Sequence, residues 1–137
     1  MSGVHVRVRV AGEHYALPIE GIVEVAEFGD VTPVPGAPHG VLGVRNLRGQ
    51  LVPVASLATL FGLEAGAEPE RIVVAEDGDR RAGLVVDSVL DVAAVPEPTE
   101  AVESPYLRGA VLVDGALVGV VDLSAALDAL AGAVPVA

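Results

Sequence analysis

Gly43-Val44-Arg45-Asn46-Leu47-Arg48-Gly49-Gln50-Leu51-Val52-Pro53-Val54-Ala55-Ser56-Leu57 reads as strand, tight turn, strand and the start of a short helix. Val44, Leu47, Leu51, Val52 and Val54 supply the apolar positions that two half-buried strands require. Arg48-Gly49-Gln50 makes the turn, with Gly49 free to take a positive φ. Ser56 is a suitable N-cap for a helix over Leu57–Phe61, and Gly62 a suitable stop. Two guanidinium groups, Arg45 and Arg48, sit between the apolar runs of a chain that contains no lysine.

The same grammar extends in both directions. Upstream, Val4-His5-Val6-Arg7-Val8-Arg9-Val10 alternates valine with polar residues, as a strand with two unlike faces does. Gly12-Glu13 turns it back into Tyr15–Ile19, and Gly21–Phe28 forms the next strand. Val31–Gly40 is rich in Pro and Gly and excludes helix and central strand alike. Downstream of a polar linker at Glu64–Glu70, Arg71–Glu76 and Ala82–Val86 flank the turn Asp77–Arg80. Val89–Val95 continues as strand, and Pro96–Pro105 is a second proline loop. A last hairpin, Leu107–Val113 and Ala116–Val121, turns at Asp114-Gly115. It leads into a terminal helix from about Leu123 to Ala131 with Asp122 as its cap.

These elements repeat. Gly43, Gly49, Leu51, Val54 and Leu57 recur as Gly109, Gly115, Leu117, Val120 and Leu123 (109 − 43 = 66). Leu17, Ile19, Glu20, Ile22, Glu24 and Val25 recur as Leu84, Val86, Asp87, Val89, Asp91 and Val92 (84 − 17 = 67). The repeat spans about 15–62 and 82–131 within a single domain of 137 residues. A mainly β fold of two small barrels, each of about five strands, satisfies it, because closure removes exposed edges. The two copies differ at one place. Arg45-Asn46-Leu47-Arg48 stands where the second copy has Val111-Leu112-Val113-Asp114, so equivalent tips carry different charge.

Composition narrows the function. A net charge of −11 with eight scattered arginines lacks the clustered cations that a nucleic-acid surface needs. Mean hydropathy is positive, yet Asp114, Asp122 and Asp128 interrupt the most apolar stretch, and no basic flank precedes an apolar N-terminal run. Without cysteine there is no disulfide, thiolate nucleophile or thiolate metal site. His5, His14 and His39 lack partners at metal-ligand spacing. Ser56 lacks a glycine-flanked nucleophile elbow, and Asp77-Gly78-Asp79 lacks the later ligands of a calcium loop. No catalytic residue, cofactor or metal is expected. For Arg45 and Arg48 three readings stand: solvated side chains, an ion pair that pins the hairpin to an acidic strand, or recognition of a partner's carboxylates.

Tyr15–Ile19 with Ile22–Val25, Thr32-Pro33-Val34-Pro35, the run Gly43–Gly49 with Pro53-Val54, and Gly83–Val89 together resemble the CheW-like chemotaxis coupling proteins over nearly the whole chain. The resemblance implies two intertwined SH3-like β-barrels and a non-catalytic, cytoplasmic adaptor associated with membrane-bound receptor arrays. As partners it implies the regulatory domain of the histidine kinase CheA and the cytoplasmic tip of a chemoreceptor (methyl-accepting protein), with no direct membrane insertion. Carried over, Glu24 and Arg48 match an acidic–basic pair expected to form a salt bridge. Asn46 and Leu47, beside Arg45, fall on a hairpin facing an inter-barrel groove, with Val86, Asp87 and Val89 on the opposing wall. This chain departs from the family in its valine-rich first strand, in Ser56 where aspartate is usual, and in short terminal extensions. Two alternatives keep the fold and change the role: a CheA-type regulatory domain, or a barrel that senses a small molecule.

Overall fold

The computed structural model describes residues 3–64, 69 and 71–130; most of the linker at 64–70 and the end of the expected terminal helix at Ala131 lie outside them. Ten strands form two sheets: β1 (Gly3–Val10), β2 (Glu13–Pro18), β3 (Ile22–Glu27), β4 (Val41–Leu47), β5 (Gln50–Ser56), β6 (Arg71–Asp77), β7 (Arg80–Val86), β8 (Ser88–Val95), β9 (Leu107–Val113) and β10 (Ala116–Val121). Two short helices follow the long hairpins, α1 (Leu57–Leu60) and α2 (Leu123–Ala129).

The central sheet, in the order β3-β6-β7-β5-β4, uses one unbroken stretch of chain. The terminal sheet, in the order β8-β1-β2-β10-β9, is assembled from both ends. The chain enters the central sheet through a 3-10 turn at Ile19–Gly21 and leaves it at Asp87. The sheets therefore cut across the two sequence halves. β2 pairs in parallel with β10, and β5 with β7, so each half supplies the neighbour that the other half's long hairpin needs.

Turn chemistry fixes the hairpins. Ala11-Gly12, Arg48-Gly49 and Asp114-Gly115 each take positive φ at both residues, the two-residue geometry whose twist matches that of the flanking strands. Both helices start as their sequences require: the Ser56 hydroxyl accepts from the Thr59 amide at 3.2 Å and the Asp122 carboxylate from the Ala125 amide at 3.0 Å.

Three apolar cores result. Val54, Ile72, Val74 and Val85 fill the inner face of the central sheet, and Ala16, Val95, Val111, Val118 and Val120 that of the terminal sheet. The largest lies between the sheets, where Val6, Val8 and Leu17 meet Val73, Leu84, Val86 and the helix residues Leu57, Leu123 and Leu127. Tyr15 joins this core with its ring 4.6 Å from that of Phe61, and burial pushes its phenol up to about 12.

Each sheet curls until its outermost strands are tied. Thr32, in the first proline loop, exchanges two 2.8 Å hydrogen bonds with Val44 on β4, and Glu100, in the second, does the same at 2.9 Å with Ala110 on β9. These approaches are why glycine stands at 43 and 109. A Cβ at Gly43 would lie 2.1 Å from the Thr32 carbonyl oxygen, and one at Gly109 would lie 2.7 Å from that of Glu100.

Candidate interaction surface

The arginine hairpin is riveted across the open side of the central sheet. β3 and β4 stand at opposite ends of the strand order, yet both tip arginines reach β3. Arg48 donates from Nε to Glu24 Oε2 at 2.5 Å, and Arg45 donates from Nη1 to the Glu27 carbonyl oxygen at 2.8 Å, its guanidinium lying over Gly29. Asn46 accepts from the Gly49 amide at 3.0 Å and so shapes the turn, while Leu47 packs on the inner core of the central sheet. Arg48 itself is in the left-handed region at φ 52, where Asn, Asp or Gly is usual. Its side chain stays 80% exposed despite the ion pair. Glu24, Arg45, Asn46, Leu47 and Arg48 thus form one cluster tied together by structural contacts.

The second group of expected site residues lies at the return crossover. Val86 is fully buried in the shared core and offers no side chain to a partner, whereas Val89 packs against the edge of that core and is half-buried. Asp87 is half-buried, its amide donating to Arg9 O at 2.9 Å and its carboxylate accepting from the Gly12 amide at 3.4 Å. No hydrogen bond or ion pair links this group to the arginine hairpin among the described residues.

Sequence reasoning missed a third set. Val23 and Val25 on β3 and Val92 on β8 are exposed, although Val25 is registered against Val73 and Val92 against Val6, both in the shared core. Facing alternation marks these valines as inward, and only their place on outermost strands leaves them uncovered. The other tips are equally uneven. Leu112 and Leu117, directly opposed on the last hairpin, are 67% and 57% exposed, and Leu51 on the arginine hairpin is 54% exposed.

Charge on the terminal sheet is arranged differently. Asp91, the counterpart of Glu24, is held by both Arg7 Nε and Arg7 Nη2 at 2.6 Å. That hydrogen-bonded guanidinium lowers the Asp91 carboxyl below its usual range, and the same hydrogen bond raises Arg7, with Asp114 adding attraction through space. Among the described residues no three of His, Asp and Glu converge as metal donors, and no helix is long and apolar enough to cross a membrane.

What the hairpins display is shape, aliphatic surface and ion pairs on a doubled scaffold. The CheW-like domain family matches residues 5–131. The chain belongs to the CheW-like family. It is 31% identical to the chemotaxis protein CheW of Rhizobium meliloti over 125 residues, covering 84% of this chain and 81% of that one. It is 40% identical to the CheW of Thermotoga maritima over 83 residues, 60% of this chain and 55% of that one. The crystal structure of the scaffolding protein TtCheW from Thermoanaerobacter tengcongensis superposes with a TM-score of 0.78 at 28% identity, covering 90% of this chain and 86% of the other. CheW-like proteins are non-catalytic chemotaxis coupling adaptors, and the mainly β, two-subdomain fold expected from the sequence is the one found.

Proposed function

We propose that this chain bridges the regulatory domain of the kinase CheA to the cytoplasmic tip of a chemoreceptor, and works in the cytoplasm at receptor arrays. The observation that carries this reading is the set of exposed valines, Val23, Val25 and Val92, on outermost strands beside the core shared by both sheets. Aliphatic side chains bordering a seam between two rigid sheets suit an amphipathic receptor helix laid along them. Glu24, Arg45, Asn46 and Arg48, with Asp87 on the far side, supply a polar rim that fixes register, bordered by half-buried Leu47 and Val89. A contact of this kind is individually weak, and linkage of many copies in an array multiplies it.

The test is co-precipitation with a CheA regulatory domain, followed by reconstitution with receptor and kinase. Arg48→Asn removes the guanidinium while placing a residue well suited to φ 52. Unchanged melting with several-fold weaker receptor-dependent kinase activation is the expected result. Failure to capture the regulatory domain, or full activation by the variant, would refute the assignment.

A further inference from the structure

A buried polar group with a free hydrogen-bonding atom marks a place that something else can fill, and His5 is the one buried polar residue among the described residues. Its Nδ1 lies 2.7 Å from the Gly3 carbonyl oxygen and carries a proton there, because a carbonyl only accepts. Nε2 makes no hydrogen bond among the described residues. No side-chain nitrogen or oxygen there is sealed in without a partner, so Nε2 opens onto the cavity that the ring lines. That cavity holds about 150 Å³, roughly the volume of five waters. Val95 and Val120 line it with aliphatic surface, and Glu20, Glu97 and Arg108 with charge. Arg108 makes one long contact of 3.4 Å with Glu97, and Glu20 has no hydrogen bond or ion pair among the described residues.

The other half of the chain shows that the fold does not require this hollow. At the 67-residue spacing of the repeat, His5 corresponds to Ile72, fully buried in the core of the central sheet. Pro98, which also lines the cavity, corresponds to Val31: an added Cβ at Gly109 would meet Pro98, and one at Gly43 would meet Val31. Val31 packs on the same core as Ile72. One half thus fills with isoleucine and valine the place that the other leaves open around an imidazole. A neighbouring depression of about 310 Å³ shares Glu20 and Arg108, but its other acids are occupied: Arg81 holds Glu76, Arg80 holds Asp77, and Asp122 caps Ala125.

We propose that the His5 cavity binds a small zwitterion, a free α-amino acid with a short side chain. A metal ion does not suit it, since no three of His, Asp and Glu converge as donors among the described residues. A bare anion would face Glu20 and Glu97, and a bare cation would face Arg108. A molecule with both charges on one carbon satisfies both signs. Its carboxylate takes the fork of Arg108, and its ammonium donates to Glu20 and to the unprotonated Nε2 of neutral His5. The volume admits alanine or serine and excludes aromatic and long basic side chains. This binding goes beyond the adaptor reading and stands whether or not the kinase domain is captured.

Titration of the full chain with L-alanine, followed through the amide shifts of Gly3, His5 and Arg108, is expected to saturate in the millimolar range. Alaninamide, which lacks the carboxylate, and propionate, which lacks the ammonium, should each bind about tenfold more weakly, the share of one charge-assisted hydrogen bond. Phenylalanine should not bind. Arg108→Gln, at an exposed side chain, should abolish the preference for L-alanine over alaninamide. His5→Ile, the side chain that the other half carries there, should remove binding while the chain melts at least as high as the parent. Shifts that never saturate, alaninamide or propionate binding as tightly as L-alanine, or full binding by His5→Ile would overturn the proposal.

Discussion

Replacing Gly43 by alanine is expected to unclasp the central sheet. The added Cβ would fall 2.1 Å from the Thr32 carbonyl oxygen and 2.6 Å from its carbon, so the proline loop has to leave β4. Two hydrogen bonds of 2.8 Å between Thr32 and Val44 go with it, about 1 kcal/mol each. The backbone at φ 154 adds strain of about 1–3 kcal/mol for any residue bearing a Cβ. Together these amount to roughly 3–5 kcal/mol, a fall in melting temperature of about 10–20 °C for a domain this size. Gly49→Ala separates the two causes. Its φ of +81 is also left-handed, but nothing lies within 4 Å of the new methyl, so only about 1 kcal/mol is lost. Thermal unfolding followed by circular dichroism gives the energies, and amide exchange at Thr32 and Val44 reports the clasp. If Gly43→Ala melts within a few degrees of Gly49→Ala, with both amides still protected, the loop does not hold the sheet closed and the explanation of the glycine fails.

Two further outcomes follow from the ion pairs. A double-mutant cycle on Glu24→Gln and Arg48→Asn should return a stability coupling of at most about 1 kcal/mol, because the guanidinium is mostly solvated, and chemical denaturation measures it. The Asp91 carboxyl titrates below its ordinary value, so the stability it contributes is complete above about pH 4 and lost as pH falls through its folded pKa. Melting temperature against pH should therefore drop less steeply below pH 4 in Asp91→Asn than in the parent chain, and parallel curves would deny the linkage.

Much of this molecule was legible in the sequence because its signals are local. Gly49 and Gly115 declare their turns, Ser56 and Asp122 their caps, and valine alternation its strands. The 66-residue spacing paired Gly43 with Gly109, but that a proline loop crosses close to each was not legible. Pairing between distant strands was not legible. Period-two alternation says which residues share a face but not which strand lies beside them, so nothing in β2 announces β10 as a parallel neighbour. The same blindness explains Arg7 and His5. Both alternate with core valines and read as a wetted face, yet His5 is buried with Nδ1 2.7 Å from the Gly3 carbonyl oxygen, and Arg7 is largely covered. It also explains Val86, read as a groove wall and found in the middle of the core, while Val23, Val25 and Val92 stand outside it.

The unequal tips are not a neutral difference on a repeated frame. On the central sheet the acid of the third strand, Glu24, is neutralised by the tip itself through Arg48. Its counterpart Asp91 belongs to the half whose tip carries Asp114, so that tip offers it no cation. The terminal sheet resolves this with Arg7, which binds Asp91 through two hydrogen bonds and attracts Asp114 as well. The residue equivalent to Arg7 in the other half is Val74, an ordinary core valine. The terminal sheet thus carries on a neighbouring strand the guanidinium that the central sheet carries at its hairpin tip.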